Sequence, residues 1–179
     1  IRRQRQMCIR DRDKAIVEVK PKGDLVYPVS QHIGAPAVPL VAKGDRVLMG
    51  QKIAEGQAFI SANIHSSVSG TVKSIEPRLT ATGMKVNAII VENDGLYEAV
   101  EAEPQTKKIE ELEAGEIRAL VKEAGVVGMG GAGFPTHVKL SPKNEGDIDT
   151  IIVNAAECEP YLTSDYRRIL EAVSYTHLT

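Results

Sequence analysis

Cysteine is nearly absent from this chain: Cys8 and Cys158 are the only two in 179 residues. Two are too few for a disulfide framework, or for a zinc site or iron–sulfur cluster built within the chain alone, and the scarcity points to a reducing, cytosolic setting. Tryptophan is missing and aromatics make up 4%, so a core has to rest on Val, Ile, Leu and Ala rather than on large rings. Charge of one sign is not in excess either. The 22 Lys and Arg against 24 Asp and Glu give a formal net charge of -2, with no block of like charge that would mark a nucleic-acid partner. No apolar run approaches the roughly 18–20 residues that span a bilayer, and nothing near the start reads as a signal peptide. Any membrane association of these residues is therefore expected to be peripheral. What is present, 42% apolar residues and 15 glycines, suffices for one large domain or two small ones.

Both ends fall outside this pattern. The opening IRRQRQMCIRDR has no apolar period and the closing VSYTHLT interrupts a helical one. Both strings resemble translated sequencing-adapter read-through, so roughly residues 1–12 and 173–179 are read as non-native and Cys8 is given no role.

From about Ala15 to Tyr97, short apolar runs alternate with Gly, Pro, Asn and Asp, the punctuation of a small all-β unit spanning 15–97. Expected strands are Leu25–Val29, Arg46–Leu48, Gln51–Ala54, Ala58–Ser61, Gly70–Ile75 and Asn87–Glu92. Turns are expected at Lys43–Asp45, Ser69–Gly70 and Asn93–Gly95, and strands this short must pair in a compact sandwich to satisfy their backbone groups. A Glu- and Lys-rich linker, 98–108, leads into a second unit at 109–172. There Ile109, Leu112, Ile117, Leu120, Val121 and Ala124 have helical spacing, interrupted at Gly115 and stopped at Gly125. Thr150–Asn154 reads as a buried strand, and Thr163 or Ser164 caps a helix over Asp165–Ala172. The fold class is thus α+β: an all-β module followed by an α/β unit that is incomplete by its length.

The segments KGDRVLMGQKIAEG and IHSSVSGTVKSI carry Gly44, Asp45, Val47, Gly50 and Gln51, then Ser69, Gly70 and Val72. These resemble the paired turns of lipoyl and biotinyl carrier domains, which implies a barrel-sandwich hybrid. A carrier attaches its cofactor to a lysine on the hairpin tip between those turns, yet none lies between Lys52 and Lys73; Phe59, Ile60 and Asn63 are there instead. The carrier chemistry is therefore excluded while the fold stands, leaving a docking or scaffold module. His32, in SQHIGAPAVPLV, and His65 have no carboxylate or cysteine close by in sequence and read as turn or packing residues rather than metal ligands.

In AGVVGMGGAGFPTHVKL, Gly128, Gly130 and Gly133 have G-x-G-x-x-G spacing. A helix rather than a strand precedes them, which argues against an ordinary Rossmann turn, and no Gly-Lys-Ser/Thr follows to make a Walker loop. Alone, such a loop also reads as a plain glycine-rich connection. Still, Gly130, Gly131, Ala132 and Gly133 strip the side chains from four residues, letting a flat ring or a phosphate approach the main chain. Phe134 could stack on that ring and Lys139 could meet a phosphate or a reduced ring's charge. The expected strand DTIIVNA runs into AECEPYLTSDYR, which puts Asn154, Glu157 and Glu159 at its carboxyl end, where open α/β sheets bind ligands.

Together, GMGGAGFPTHVK and NAAECEPYLTSDYR resemble the paired flavin and NADH signatures of the flavoprotein subunit of respiratory complex I. Preceded by the lysine-less barrel and QHIGAP, the whole of about residues 15–172 is most similar to the C subunits of Rnf ion-translocating oxidoreductases. The resemblance implies an NADH-dependent electron-transfer subunit that uses FMN and NADH, with 4Fe-4S clusters in sequence beyond this chain. It implies ferredoxin and other membrane subunits as partners, and a place on the cytoplasmic face of a bacterial inner membrane. Gly128, Gly130, Gly131, Ala132, Gly133, Phe134 and Lys139 inherit FMN and NADH contacts, Asn154 and Glu157 flavin contacts, and Glu159 a nicotinamide-side contact. Met129 and Ala156 stand where the complex I loops carry an arginine and an aspartate, so one charge pair of that site is missing. Cys158 lies between two glutamates, whose charge disfavours a thiolate, and reads as inert. Competing readings are the A subunit of sodium-translocating NADH:quinone reductase, a related soluble electron-transfer protein, and a non-catalytic docking scaffold. Paired C-x-x-C-x-x-C-x-x-x-C-P runs downstream would mark the Rnf type, since each cluster needs four thiolates.

The non-native reading of the ends is checked by genomic reads. Matches should stop near Arg12 and Val173, and even coverage through both ends would refute it.

Overall fold

The structure is a computed structural model that describes residues 14–80, 83–101, 107–128, 133–152, 154, 157 and 162–172. It divides into two units: Pro21–Glu145, and a second formed by the chain's two ends, Ile1–Lys20 with Gly146–Thr179.

The β part of the first unit has seven strands: β1 (Leu25–Pro28), β2 (Val38–Pro39), β3 (Arg46–Val47), β4 (Lys52–Glu55), β5 (Ile64–His65), β6 (Gly70–Leu79) and β7 (Lys85–Asn93). They pair antiparallel in two sheets, β1-β7-β6-β3 and β2-β4-β5. Both sheets contribute to one core: Tyr27, Val47, Val72, Ile89 and Val91 from the first, Ile53, Ala54 and Ile64 from the second. Each fully buried Val or Ile contributes about 1.5–3 kcal/mol, so aliphatic side chains carry most of the core in a chain with few rings.

The carrier-like turns meet at the edge of the first sheet, where β3 pairs with β6. Gly44 N–H donates to Val72 O at 2.7 Å and Val72 N–H to Asp45 O at 2.8 Å, so the two half-motifs hydrogen-bond each other directly. Tyr27 reaches across to Ser67, its Oη 2.9 Å from the hydroxyl and 3.0 Å from the amide nitrogen. Ser69 donates to Asp94 at 2.7 Å, the Leu96 amide adds a second bond and Arg46 a third. These contacts, the Ser69 hydroxyl foremost, hold the Asp94 carboxyl below the usual carboxylate range. At Gly70 the two central strands come so close that a Cβ would lie 2.0 Å from Glu92 O.

Sequence and structure differ at three places in this part. Ala58–Ser61, expected as a strand, is a bent tip between β4 and β5, while the strand that returns is Ile64–His65. The β-prone residues of the tip serve tertiary contacts instead of a ladder. Strand β2 was not expected, because two residues ending in a proline carry no alternation. Strands β6 and β7 run longer than expected, since a two-stranded ribbon from Pro77–Leu79 to Lys85–Asn87 continues past the end of β1.

The helical part of this unit begins with a 3-10 turn, Ile109–Glu111, and helix α1 (Ala114–Glu123). A capping box starts α1, with Glu113 and Glu116 satisfying each other's backbone amides. Gly125, at φ 65°, ends it as expected. Its apolar stripe is not buried: Ile117 and Leu120 are 38% and 45% exposed. Helix α2 (Thr136–Lys139) follows the glycine loop.

In the second unit, helix α3 (Ser164–Ala172) lies where the sequence puts it. Of the expected buried strand Thr150–Asn154, the described residues 150–152 and 154 are irregular, and Ile151 and Ile152 are 84% and 87% exposed. A β-branched run becomes a strand only when a neighbour accepts its backbone bonds, and among the described residues none does. Among the described residues no helix is long and apolar enough to cross a membrane.

Gly70→Ala is expected to cost about 1–3 kcal/mol by overpacking the β6–β7 pair. Gly115→Ala, where nothing lies within 4 Å, is expected to stabilise by about 0.4–1 kcal/mol. Urea midpoints measure both, and equal shifts would contradict the close approach at Gly70.

Candidate functional site

The glycine loop leaves α1 through Gly125 and returns into α2, and its root is closed by main-chain bonds. Gly128 N–H donates to Phe134 O and Gly133 N–H to Gly128 O, each at 3.1 Å, while Val127 bridges Pro135. A closed root fixes where the two ends of the glycine run meet. Those two amides are consumed by the closure. A ligand must therefore be met by other amides of the loop, and Gly130, Gly131 and Ala132, where sequence reasoning put them, lie outside the described residues.

Gly128, Gly133, Phe134 and Lys139 are brought together. Lys139 Nζ stands 3.4 Å from where a Cβ on Gly128 would be, which places the ammonium in contact distance of the loop root. The same ammonium lies 6.0 Å from the centre of the half-buried Phe134 ring. One cation and one ring thus flank a strip of bare backbone, an arrangement suited to an anionic, planar ligand.

Asn154 and Glu157 belong to the other unit. Glu157 there caps α3: its Oε1 accepts from the amides of Asp165 at 2.7 Å and Tyr166 at 3.0 Å. A carboxylate on a helix N-terminus contributes on the order of 1 kcal/mol and leaves lone pairs for a further partner. Asn154 is exposed. Glu159, like Cys158, lies outside the described residues.

What sequence reasoning missed is the seat under the glycine loop. The strap Gln31–Ala35 of the β module carries it. Ile33 N–H donates to Gly133 O at 3.2 Å, and Gly133, at φ 66°, packs so closely that a Cβ would lie 2.9 Å from Gln31 O. At the other end of the loop a Cβ on Gly125 would lie 2.3 Å from Asn63 O. Asn63 donates through Nδ2 to both the backbone and the side-chain oxygen of Glu123, at 3.2 Å each. Beyond the loop, His137 is buried and its Nε2 lies 3.0 Å from Phe59 O. The available signals were indirect: a hairpin tip without the carrier lysine, and a buried Asn in it.

The two histidines of the β module do pack, in agreement with their sequence surroundings. Buried His32 has Nε2 3.0 Å from both N and O of Ala62, and Nδ1 3.3 Å from Ile33 O. With Nδ1–H donating to Ile33, Nε2 accepts from the Ala62 amide. His65 gains a carboxylate neighbour that local sequence did not offer: Glu123, 58 positions on, which also pairs with Lys52 at 2.6 Å. A cleft of about 300 Å³ lined by Ser30–Ile33, Thr80, Met84 and Val86 shares the strap, and none of the sequence-predicted site residues lines it. Among the described residues no three His, Cys, Asp or Glu side chains are grouped to hold a metal.

Comparison with known proteins agrees with this architecture. Residues 5–96, just over half the chain, match the RnfC barrel sandwich hybrid domain, and residues 121–175 match the Nuo51 FMN-binding domain. The chain is 50% identical over 156 residues to the C subunit of the proton-translocating ferredoxin:NAD(+) oxidoreductase complex of Clostridium ljungdahlii, covering 87% of this chain and 34% of that protein. It is 44% identical to the C subunit of the Na(+)-translocating ferredoxin:NAD(+) oxidoreductase complex of Acetobacterium woodii, covering 79% and 32%. It is also 42% identical to the C subunit of the ion-translocating oxidoreductase complex of Rhodobacter capsulatus, covering 87% and 30%. The chain thus spans about a third of the length of these relatives.

Burial holds the His65 pKa below its ordinary 6.5, with Lys52 adding to the depression and Glu123 opposing it. The unfolded chain then takes up a proton at pH values where the folded chain does not, so stability is full above about 6.5 and declines as pH falls below it. His65→Gln should flatten that decline. Melting temperatures compared between pH 5 and 7.5 check it, and an unchanged slope would refute the assignment.

Proposed function

We propose, for a chain that belongs to the family of Rnf complex C subunits, that it forms the flavin- and NAD(H)-binding part of an electron-transfer subunit. The observation that carries this reading is the closed glycine loop with Lys139 over its root and Phe134 beside it. Bound FMN supplies a ring that exchanges a hydride with nicotinamide and passes electrons on singly. The chain's own residues bind and orient. The bare backbone around Gly130, Gly131, Ala132 and Gly133 admits the ligand, Lys139 offsets phosphate or ring charge, and Phe134 covers an apolar face. The fit is supported at the loop root, where the Lys139 ammonium stands beside Gly128 and 6.0 Å from the centre of the Phe134 ring.

Asn154 offers an amide to the edge of a heterocycle, and Glu157 and Glu159 accept from ribose hydroxyls or amides. In Glu157 the same carboxylate steadies α3, so ligand contact and helix capping are coupled. Met129 in place of an arginine and Ala156 in place of an aspartate make this site less charged than its complex I counterpart. The domain division follows from the same reading: 15–97 as the barrel module, 98–108 as connection and 109–172 as the flavin- and NAD(H)-binding portion.

The relatives favour the Rnf type over a quinone reductase, since two of them are named as parts of ferredoxin:NAD(+) oxidoreductases. On this reading, electrons pass between NAD(H) and ferredoxin through FMN and 4Fe-4S clusters held by other sequence of the full-length protein. The subunit sits peripherally on the cytoplasmic face of the membrane through its partner subunits.

Full-length protein should purify with FMN absorbance and oxidise NADH, and Gly131→Val should weaken flavin binding more than about tenfold, a loss of about 1.4 kcal/mol. Wild-type protein that neither holds flavin nor oxidises NADH would overturn the proposal.

A further inference from the structure

A carrier domain needs its hairpin tip free, so that a lysine-bound cofactor can swing. In this chain the corresponding tip, Gly56–Asn63, is bound on two sides. On one side the strap laces it: Ala35 N–H donates to Ile60 O at 3.0 Å, Ser61 Oγ to Ala35 O at 2.8 Å, and the Ala62 amide meets His32. Gly34 is pressed so tightly on the tip that a Cβ would lie 2.0 Å from Ile60 O. On the other side the tip touches both flanks of the glycine loop, through Asn63 at Glu123 and Gly125 and through Phe59 at His137. The strap itself completes the ring by bonding Gly133.

We infer that the barrel's hairpin tip is a positioning element of the flavin site, with His137 and His32 as positioning residues that act through the glycine loop. This inference rests on the flavin reading of that loop. Its physical basis is that the loop's two flanking glycines, Gly125 and Gly133, each abut a main-chain oxygen of the β module, Asn63 O and Gln31 O, so both ends of the loop are fixed by the module's backbone. His137 Nε2–H donates to Phe59 O, and the ring of Phe59 meets that of His137 edge-on at 6.3 Å. His32 holds the strap against the tip from the other face. A tip that carries no lysine has no arm to swing, and in this chain it serves as a fixed seat.

The test uses the full-length protein and two readouts, flavin affinity by FMN fluorescence titration and hydrogen exchange of the amides of residues 125–137 in flavin-free protein. His137→Leu removes the donor to Phe59 O, and should raise the FMN dissociation constant about tenfold and speed exchange in that segment. His137→Gln keeps a donor and should restore both towards wild type. Phe59→Ala, at a position 65% exposed, should act in the same direction by about threefold and serves if the leucine variant does not fold. Ser141→Ala, which loosens only the end of α2 at His137 O, should change neither readout. Unchanged affinity and exchange in His137→Leu and Phe59→Ala, or a glutamine variant as impaired as the leucine one, would overturn the inference. Wild-type protein that binds no FMN would overturn the flavin reading instead, and the exchange comparison would still decide whether the tip seats the loop.

Discussion

Close main-chain approach is the constraint on which this structure depends. Gly133 lies against Gln31, Gly125 against Asn63, Gly34 against Ile60 and Gly70 against Glu92, each nearer than a Cβ would allow. Such contacts bring amides and carbonyls within bonding range of one another, and they carry little adjustable slack because no side chain mediates them. A barrel with an aliphatic core and a loop with almost no side chains are thereby joined as one compact unit.

That arrangement suits the chemistry proposed for the loop. Flavin and nicotinamide carry their own reactivity, and what a protein adds is position and electrostatics. A glycine run alone would be too mobile to position anything. Closed at its root by Gly128 and Phe134, and seated on the strap at Gly133, the run has both of its ends fixed, with a cation beside the root. The carrier-like turns of the β module bond directly, Gly44 to Val72, while its tip docks on neighbouring segments.

Much of the β module could be read from residue order because its signals are local. Turn glycines, the GD-x-V-x-x-GQ pattern and β-branched runs state where strands start and stop, and β1, β3, β4, β6 and β7 lie near the expected places. The errors fall where context overrules composition. Phe59 and Ile60 are β-prone but sit on a docked tip, and Thr150–Ile152 would need a neighbouring strand to become one. In the site, Gly128, Gly133, Phe134 and Lys139 could be singled out because bare backbone beside a cation is a local signature. His137, Asn63 and Glu123 could not, since their roles depend on partners some 60 to 80 positions away.

Sequence by itself determined the α+β class, the barrel whose hairpin tip lacks a lysine, the helix stop at Gly125 and the place of the glycine loop, through signals local to each segment. Only the tertiary structure decided that the hairpin tip and the strap Gln31–Ala35 grip that loop at both ends, and that Glu123 faces His65. The physical reason is that local chemistry limits which turns and strands a segment can adopt, whereas close backbone packing between distant segments leaves no periodicity or motif behind. Its one trace is a glycine whose reason lies elsewhere in the chain.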